Sequence, residues 1–148
     1  MDKIIIVEKL AALADRIERV EALVPVRYED FENDRDVNEL VELNFCKAVQ
    51  YCVDIAMHAI AQVGNERPDG MADAFDSLRR MGAISDSTAN TLKGAVRIRN
   101  IATHTYAKLD LRILHSACSR HAGAFRSFAK QIERYAGITD RPPQGPQR

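Results

Sequence analysis

No apolar run in this 148-residue chain reaches the roughly 18 residues that a membrane-spanning helix needs, so no span is expected. Cysteine is scarce. Cys46, Cys52 and Cys118 sit inside apolar patterns, at spacings that match neither a disulfide framework nor a zinc knuckle, and read as buried reduced thiols. Excess charge of one sign is missing as well: 21 basic side chains balance 21 acidic ones, which speaks against a broad, electrostatically driven nucleic-acid surface. No stretch alternates at period two, so no sheet is expected, and no internal repeat is visible. The opening residues Met1 to Val7 are apolar but run into Glu8 and Lys9, with neither a basic leader nor a small-residue cleavage site. They do not read as a signal peptide, and a cytoplasmic location is expected.

What is present is helical periodicity in a chain of one-domain size. Ile6, Leu10, Leu13, Ile17, Val20 and Val24 trace one face of a first helix that Pro25 ends. Between Val26 and Asp36 the chain is acidic, carries Tyr28 and Phe31 as isolated aromatics, and reads as a loop or a short helical turn. A second long helix is expected from about Asp36 to Val63, its buried side including Leu40, Leu43, Val49, Cys52, Ile55, Ala59, Ile60 and Val63. Gly64 and Asn65 close it. A short helix around Ala74, Phe75, Leu78 and Met81 stops at Gly82, and Ser85 is a good N-cap for the helix that leads to Arg99. Asp110 can cap a last helix, in which Leu114, Ala117, His121, Phe125, Phe128, Ile132 and Tyr135 recur before Gly137. The expected architecture is an all-α bundle of four to five helices over residues 1–137, followed by a flexible tail over 138–148.

The zero net charge hides a gradient. Residues 1–42 hold 12 acids against 6 bases, whereas residues 112–148 hold 2 against 7. From Ser87 to Leu109 there is no acid at all, and Lys93, Arg97, Arg99 and Lys108 make this the most favourable local field for an anion. Within it lies Arg97-Ile98-Arg99-Asn100-Ile101-Ala102-Thr103-His104-Thr105-Tyr106. Five residues advance about 500° around an ideal helix, so Arg99 and His104 would leave one straight helix roughly 140° apart. A helix that ends or bends near the β-branched Thr103 and Thr105 would let them converge, and so would a second copy across a two-fold axis.

Arginine offers a planar fork suited to phosphate, and histidine moves a proton near neutral pH. Together they suit RNA cleavage without a metal or cofactor, where a 2′-hydroxyl loses a proton and the scissile phosphate gathers charge. Spacing alone fits a structural pair more readily than a catalytic one. Gln50, Asp54 and His58, four apart in the second long helix, form a polar stripe in apolar surroundings. Asp54 could hold His104 or Arg99, or the stripe could be an ordinary solvated face. His58, His115 and His121 have no motif partners and read as structural or surface residues.

The run Arg99-Asn100-Ile101-Ala102-Thr103-His104-Thr105-Tyr106 resembles the R-N-x-x-x-H-x-Y motif of HepT-like proteins, a branch of the HEPN superfamily. The segment from Lys47 to His58 is similar to that family's second-helix signature, and Arg67-Pro68 through Leu78 and Gly82-Ala83-Ile84 resemble its short middle helix and exit. The resemblance implies a two-fold homodimer in which the arginine and histidine motifs of both subunits meet in a cleft. It implies an endoribonuclease toxin whose partner is a minimal nucleotidyltransferase antitoxin of the MntA type. By the same resemblance Arg99 binds or polarises the phosphate, His104 transfers the proton, Tyr106 accepts AMP, Asn100 and Gln50 support the pocket, and Asp54 orients the pair. The alternative is a non-catalytic nucleotide-binding or adaptor subunit of such a nucleotidyltransferase, which the same cleft and Tyr106 would also serve.

Overall fold

The computed structural model describes residues 3–64, 67–104 and 108–138. They form α1 (Lys3–Leu23), α2 (Tyr28–Glu32), α3 (Arg35–Val63), α4 (Met71–Arg80), α5 (Asp86–Thr103) and α6 (Leu111–Ala136). Five helices of ten or more residues and one single turn make an all-α bundle. Local chemistry sets their ends. The Asp34, Ser85 and Asp110 side chains accept from the backbone N–H groups of Val37, Thr88 and Arg112 at 3.2, 3.2 and 2.8 Å, which satisfies donors that a helix start leaves open. Gly64 and Gly137 close α3 and α6 at φ 80° and 72°, a left-handed conformation that costs glycine little. Among the described residues no helix is long and apolar enough to cross a membrane.

The longest helix, α3, is the axis of the bundle and packs against each of the other five. Ile55, Ala56 and Ala59 in its middle are fully buried, and Phe75 of α4 meets Phe128 of α6 edge-to-face, ring centroids 6.0 Å apart. Phe31, read as an isolated aromatic in a loop or short helical turn, is a core residue: the single turn of α2 lays it against α3 and α6. Asn38 holds that turn by donating to the Phe31 carbonyl at 3.2 Å. His115 of α6 bonds the Pro25 carbonyl at 2.7 Å and stacks beside Tyr28 and Phe31, so it is structural.

Other apolar positions expected inside lie outside. Leu40 and Leu43 are 40% and 49% exposed, as are Val63 and Tyr135 to a similar degree. The cause is geometric. Leu40, Leu43, Lys47, Gln50, Asp54 and Met57 recur at alternating steps of three and four and so share one side of α3, which its neighbours leave largely uncovered at Leu40, Leu43, Lys47 and Met57.

His121 is buried beside Phe45, and its Nδ1 has no hydrogen-bond partner among the described residues. Burial, with Arg120 and Arg97 nearby, pushes its pKa down to about 4. An unfolded chain takes up this proton as pH falls through the ordinary histidine value, whereas the folded chain does so only near 4. The ring therefore lets stability fall between about pH 6.5 and pH 4. Urea midpoints across that window should drop more steeply in the native chain than in His121→Leu, by about 3 kcal/mol in total; parallel slopes would show that the buried ring is not the titrating group.

Candidate functional site

Helix α5 carries Arg99 toward α3 and ends one residue before His104. Arg99 is half-buried. Its Nη2 donates to Gln50 Oε1 at 3.1 Å, and its Nη1 donates to Asn100 Oδ1 at 3.3 Å. Gln50 in turn donates through Nε2 to Asp54 Oδ1 at 2.8 Å, one turn further along α3. Asp54 Oδ2 lies 3.6 Å from the ammonium of Lys9 on α1. A polar chain thus runs from α1 through α3 to α5, in the order Lys9, Asp54, Gln50, Arg99, Asn100.

The amide of Gln50 is the informative link. Its oxygen must face a cation that only donates and its nitrogen a carboxylate that only accepts, so one orientation satisfies both neighbours and a flip breaks both bonds. Arg99 gains a fixed direction from this while part of its fork stays available. Asp54 reaches Arg99 through Gln50, a step longer than the direct contact considered from spacing. The Lys9 ion pair is about one-third exposed on each side and adds little stability on its own. Nothing in the sequence pointed to Lys9, since it comes from another helix.

Cys46 lies one turn before Gln50 on α3. Burial pushes its thiol up to about 11, with Glu42 adding to the shift and Arg99 opposing it, so the thiol stays protonated beside the arginine. His58, a turn beyond Asp54, has a buried Nε2 without a hydrogen-bond partner among the described residues.

His104 occupies the C-cap of α5, exposed, in an extended conformation with φ −78° and ψ 129°. Its N–H donates to the Ile101 carbonyl at 3.2 Å, and the Thr103 hydroxyl bonds back to the Arg99 carbonyl at 3.0 Å. Helical backbone therefore persists through Thr103, and the chain turns away only after His104 has taken its direction. Arg99 bonds Gln50 of α3, and an ideal helix sends residues five apart out roughly 140° from one another. A helix that runs through Thr103 supplies no bend between Arg99 and His104. Tyr106 lies outside the described residues, as do Asn65 and the tail from Thr139 onward.

The site of this all-helical domain is thus an arginine-asparagine pair bonded to a glutamine and, through it, to an aspartate of the longest helix, with a histidine at the end of the adjoining one. Comparison with known proteins gives the family. The family model described as ribonuclease HepT-like matches residues 13–132, and this chain belongs to that family, whose description is that of ribonucleases. The mRNA nuclease HepT of Shewanella oneidensis is 30% identical over 132 residues, covering 87% of this chain and 96% of the relative. The solved tri-AMPylated HEPN toxin of Shewanella oneidensis in complex with MNT antitoxin is 29% identical with TM-score 0.81, covering 88% of this chain and 97% of that one. The cytosolic protein YutE from Bacillus subtilis shares the fold, with TM-score 0.80 at 16% identity over 91% of this chain and 90% of that one.

Replacing Gln50 with alanine should free the Arg99 guanidinium at a stability cost of about 1 kcal/mol. Nitrogen NMR of the arginine side chains reads this directly: rotation about Nε–Cζ of Arg99 should be slow in the native chain and fast in Gln50→Ala. Equally fast rotation in both would mean that the amide does not hold it.

Proposed function

We propose that this protein is a metal-independent endoribonuclease toxin that acts as a two-fold homodimer, each reaction using an Arg99 and a His104 brought together across the dimer. The carrying observation is a helix that stays intact through Thr103, since helical geometry sends residues five apart out roughly 140° from one another. The uncovered side of α3 is the surface for the second copy. Leu40, Leu43 and Met57 supply its exposed apolar atoms, and Gln50 and Asp54 of the site lie between them on the same face.

In this reading the His104 imidazole removes the proton of a ribose 2′-hydroxyl. The 2′-oxygen attacks the adjacent phosphorus, the bond to the 5′-oxygen of the next nucleotide breaks as that oxygen takes a proton from water, and a cyclic phosphate and a 5′-hydroxyl result. Arg99, aimed by Gln50 and Asp54, binds the phosphate oxygens as charge gathers on them, and Asn100 steadies the fork. Chemistry of this kind draws on groups present in the chain and requires neither metal nor cofactor.

The partner we propose is a minimal nucleotidyltransferase antitoxin of the MntA type that attaches AMP to Tyr106. The physical sense of such a modification is electrostatic. Tyr106 follows His104 by two residues, so added phosphates bring negative charge beside the cations that would otherwise hold RNA. The support is the likeness to a HEPN toxin solved in tri-AMPylated form with its MNT antitoxin.

Incubated with RNA in EDTA, the purified protein should cleave it, and Arg99→Ala and His104→Ala should each lose about 10²-fold or more in rate without a change in fold. Equal rates in native chain and His104→Ala would remove the catalytic assignment. Leu43→Asp should shift the protein from dimer to monomer in light scattering and abolish cleavage; an active monomer would contradict the composite site. Co-expression with the nucleotidyltransferase should add AMP units to Tyr106 by peptide mass spectrometry, and Tyr106→Phe should remain unmodified.

A further inference from the structure

The cations of α5 and α6 are not treated alike by the fold. Lys93 is paired with Asp76 at 3.0 Å, Arg126 with Glu21, and Arg112 lies over the Tyr28 ring at 4.3 Å. Arg97 and Arg120 are exposed, and among the described residues neither has a carboxylate within ion-pair distance. They are not scattered. A Cβ built on Gly94 would stand 3.6 Å from Arg97 Nη2 and 3.9 Å from two atoms of the His121 ring, so the guanidinium and the ring flank one bare stretch of α5 backbone. Arg120 precedes His121 on α6. That both arginines oppose protonation of this ring places them in the same local field.

Neither helix offers the seam a counter-charge. After Asp86 there is no acid in α5, and Glu133 is the one acid of α6. Gly94 adds no side chain of its own, so the Arg97 guanidinium and the His121 ring come within contact distance of the position its Cβ would take. The seam also continues toward the proposed reaction centre. Arg97, Asn100 and His104 recur at steps of three and four along one side of α5. Seven residues of helix span about 10 Å, which a stacked strand at roughly 3.4 Å per nucleotide covers in about three nucleotides.

We propose that the seam between α5 and α6 is a second phosphate-binding subsite, where Arg97 and Arg120 hold the RNA backbone a few nucleotides from the bond that is cut. It rests on the ribonuclease reading and deepens it. Affinity for the strand then comes from two unpaired arginines beside the cleft rather than from net charge, which is zero. Guanidinium groups facing solvent, with no acid on either helix nearby, suit phosphate oxygens better than a protein surface of mixed charge. The neutral, buried His121 ring forms the wall of this subsite and carries no charge near neutral pH.

The test compares the full-length native chain with Arg97→Gln/Arg120→Gln, and with Lys130→Gln/Arg134→Gln as a control that removes the same charge from exposed positions nearer the end of α6. The substrate is a fluorescently labelled single-stranded RNA oligonucleotide. The seam variant should raise KM about fivefold or more while kcat moves less than twofold. The slope of log KM against log salt should flatten by about 1.4, or 0.7 for each of two lost phosphate contacts. The control should change neither quantity. Equal changes in both variants would reduce the seam to general charge and overturn it. An unchanged KM and slope in the seam variant, with RNA still cleaved, overturns the subsite alone. Loss of nucleotidyltransferase binding in that variant with KM unchanged assigns the seam to a protein partner instead. A native chain that cleaves no RNA overturns the ribonuclease reading itself.

Discussion

The Gln50 amide joins two helices that are 49 positions apart in sequence and gives Arg99 its direction. An arginine on a solvated helix face samples many rotamers, and fixing a long charged side chain costs up to about 2 kcal/mol of conformational entropy. Here that cost is met in the folded state, before a ligand arrives, because Asp54 locks the amide and the amide locks the guanidinium. A group held in its working direction needs less reorganisation when charge develops near it, which is the main way a protein without a metal stabilises a phosphoryl intermediate. The bundle serves this chain of contacts: α3 is long enough to carry both Gln50 and Asp54 and central enough to be held from five sides.

The second constraint is where α5 stops. Had the helix broken at Asn100, Arg99 and His104 could meet within one subunit, and the domain would be complete alone. With helical backbone through Thr103, the arginine is committed to the α3 side and the histidine to the helix end. That turns an ordinary sequence spacing into a reason for assembly. The uncovered side of α3, with Leu40, Leu43 and Met57 about half-exposed, is the complementary feature, since such residues lower their free energy against a second apolar surface. In the proposed dimer, activity and oligomeric state depend on the same face of the same helix.

Much of the fold could be read in the sequence because its signals are local. Ser85 and Asp110 cap the helices they were expected to cap, Gly64 and Gly137 end theirs, and no strand occurs among the described residues. Period alone could not show which side of α3 would remain bare, so Leu40, Leu43 and Val63 were assigned to the core; that depends on where α1, α5 and α6 settle. Phe31 differed in the opposite sense: the short helical turn was one of the two readings, but among acidic neighbours an isolated aromatic gave no sign of its burial in the core. At the site, Arg99, Asn100 and His104 were visible as a motif, and Gln50 and Asp54 as a polar stripe of period four. Their connection in series was not visible. The position of the helix end relative to His104, to within one residue, lies below what residue propensities resolve. Lys9, which comes from another helix, leaves no trace in linear spacing.

The composite site has a direct test by subunit mixing. Arg99→Ala and His104→Ala proteins, each inactive alone, are unfolded together, refolded and assayed on RNA. If one reaction takes its arginine and histidine from different subunits, mixed dimers contain one intact pair, and the mixture should recover about a quarter of the native activity for random two-fold pairing. A mixture that forms mixed dimers yet stays inactive would contradict the account.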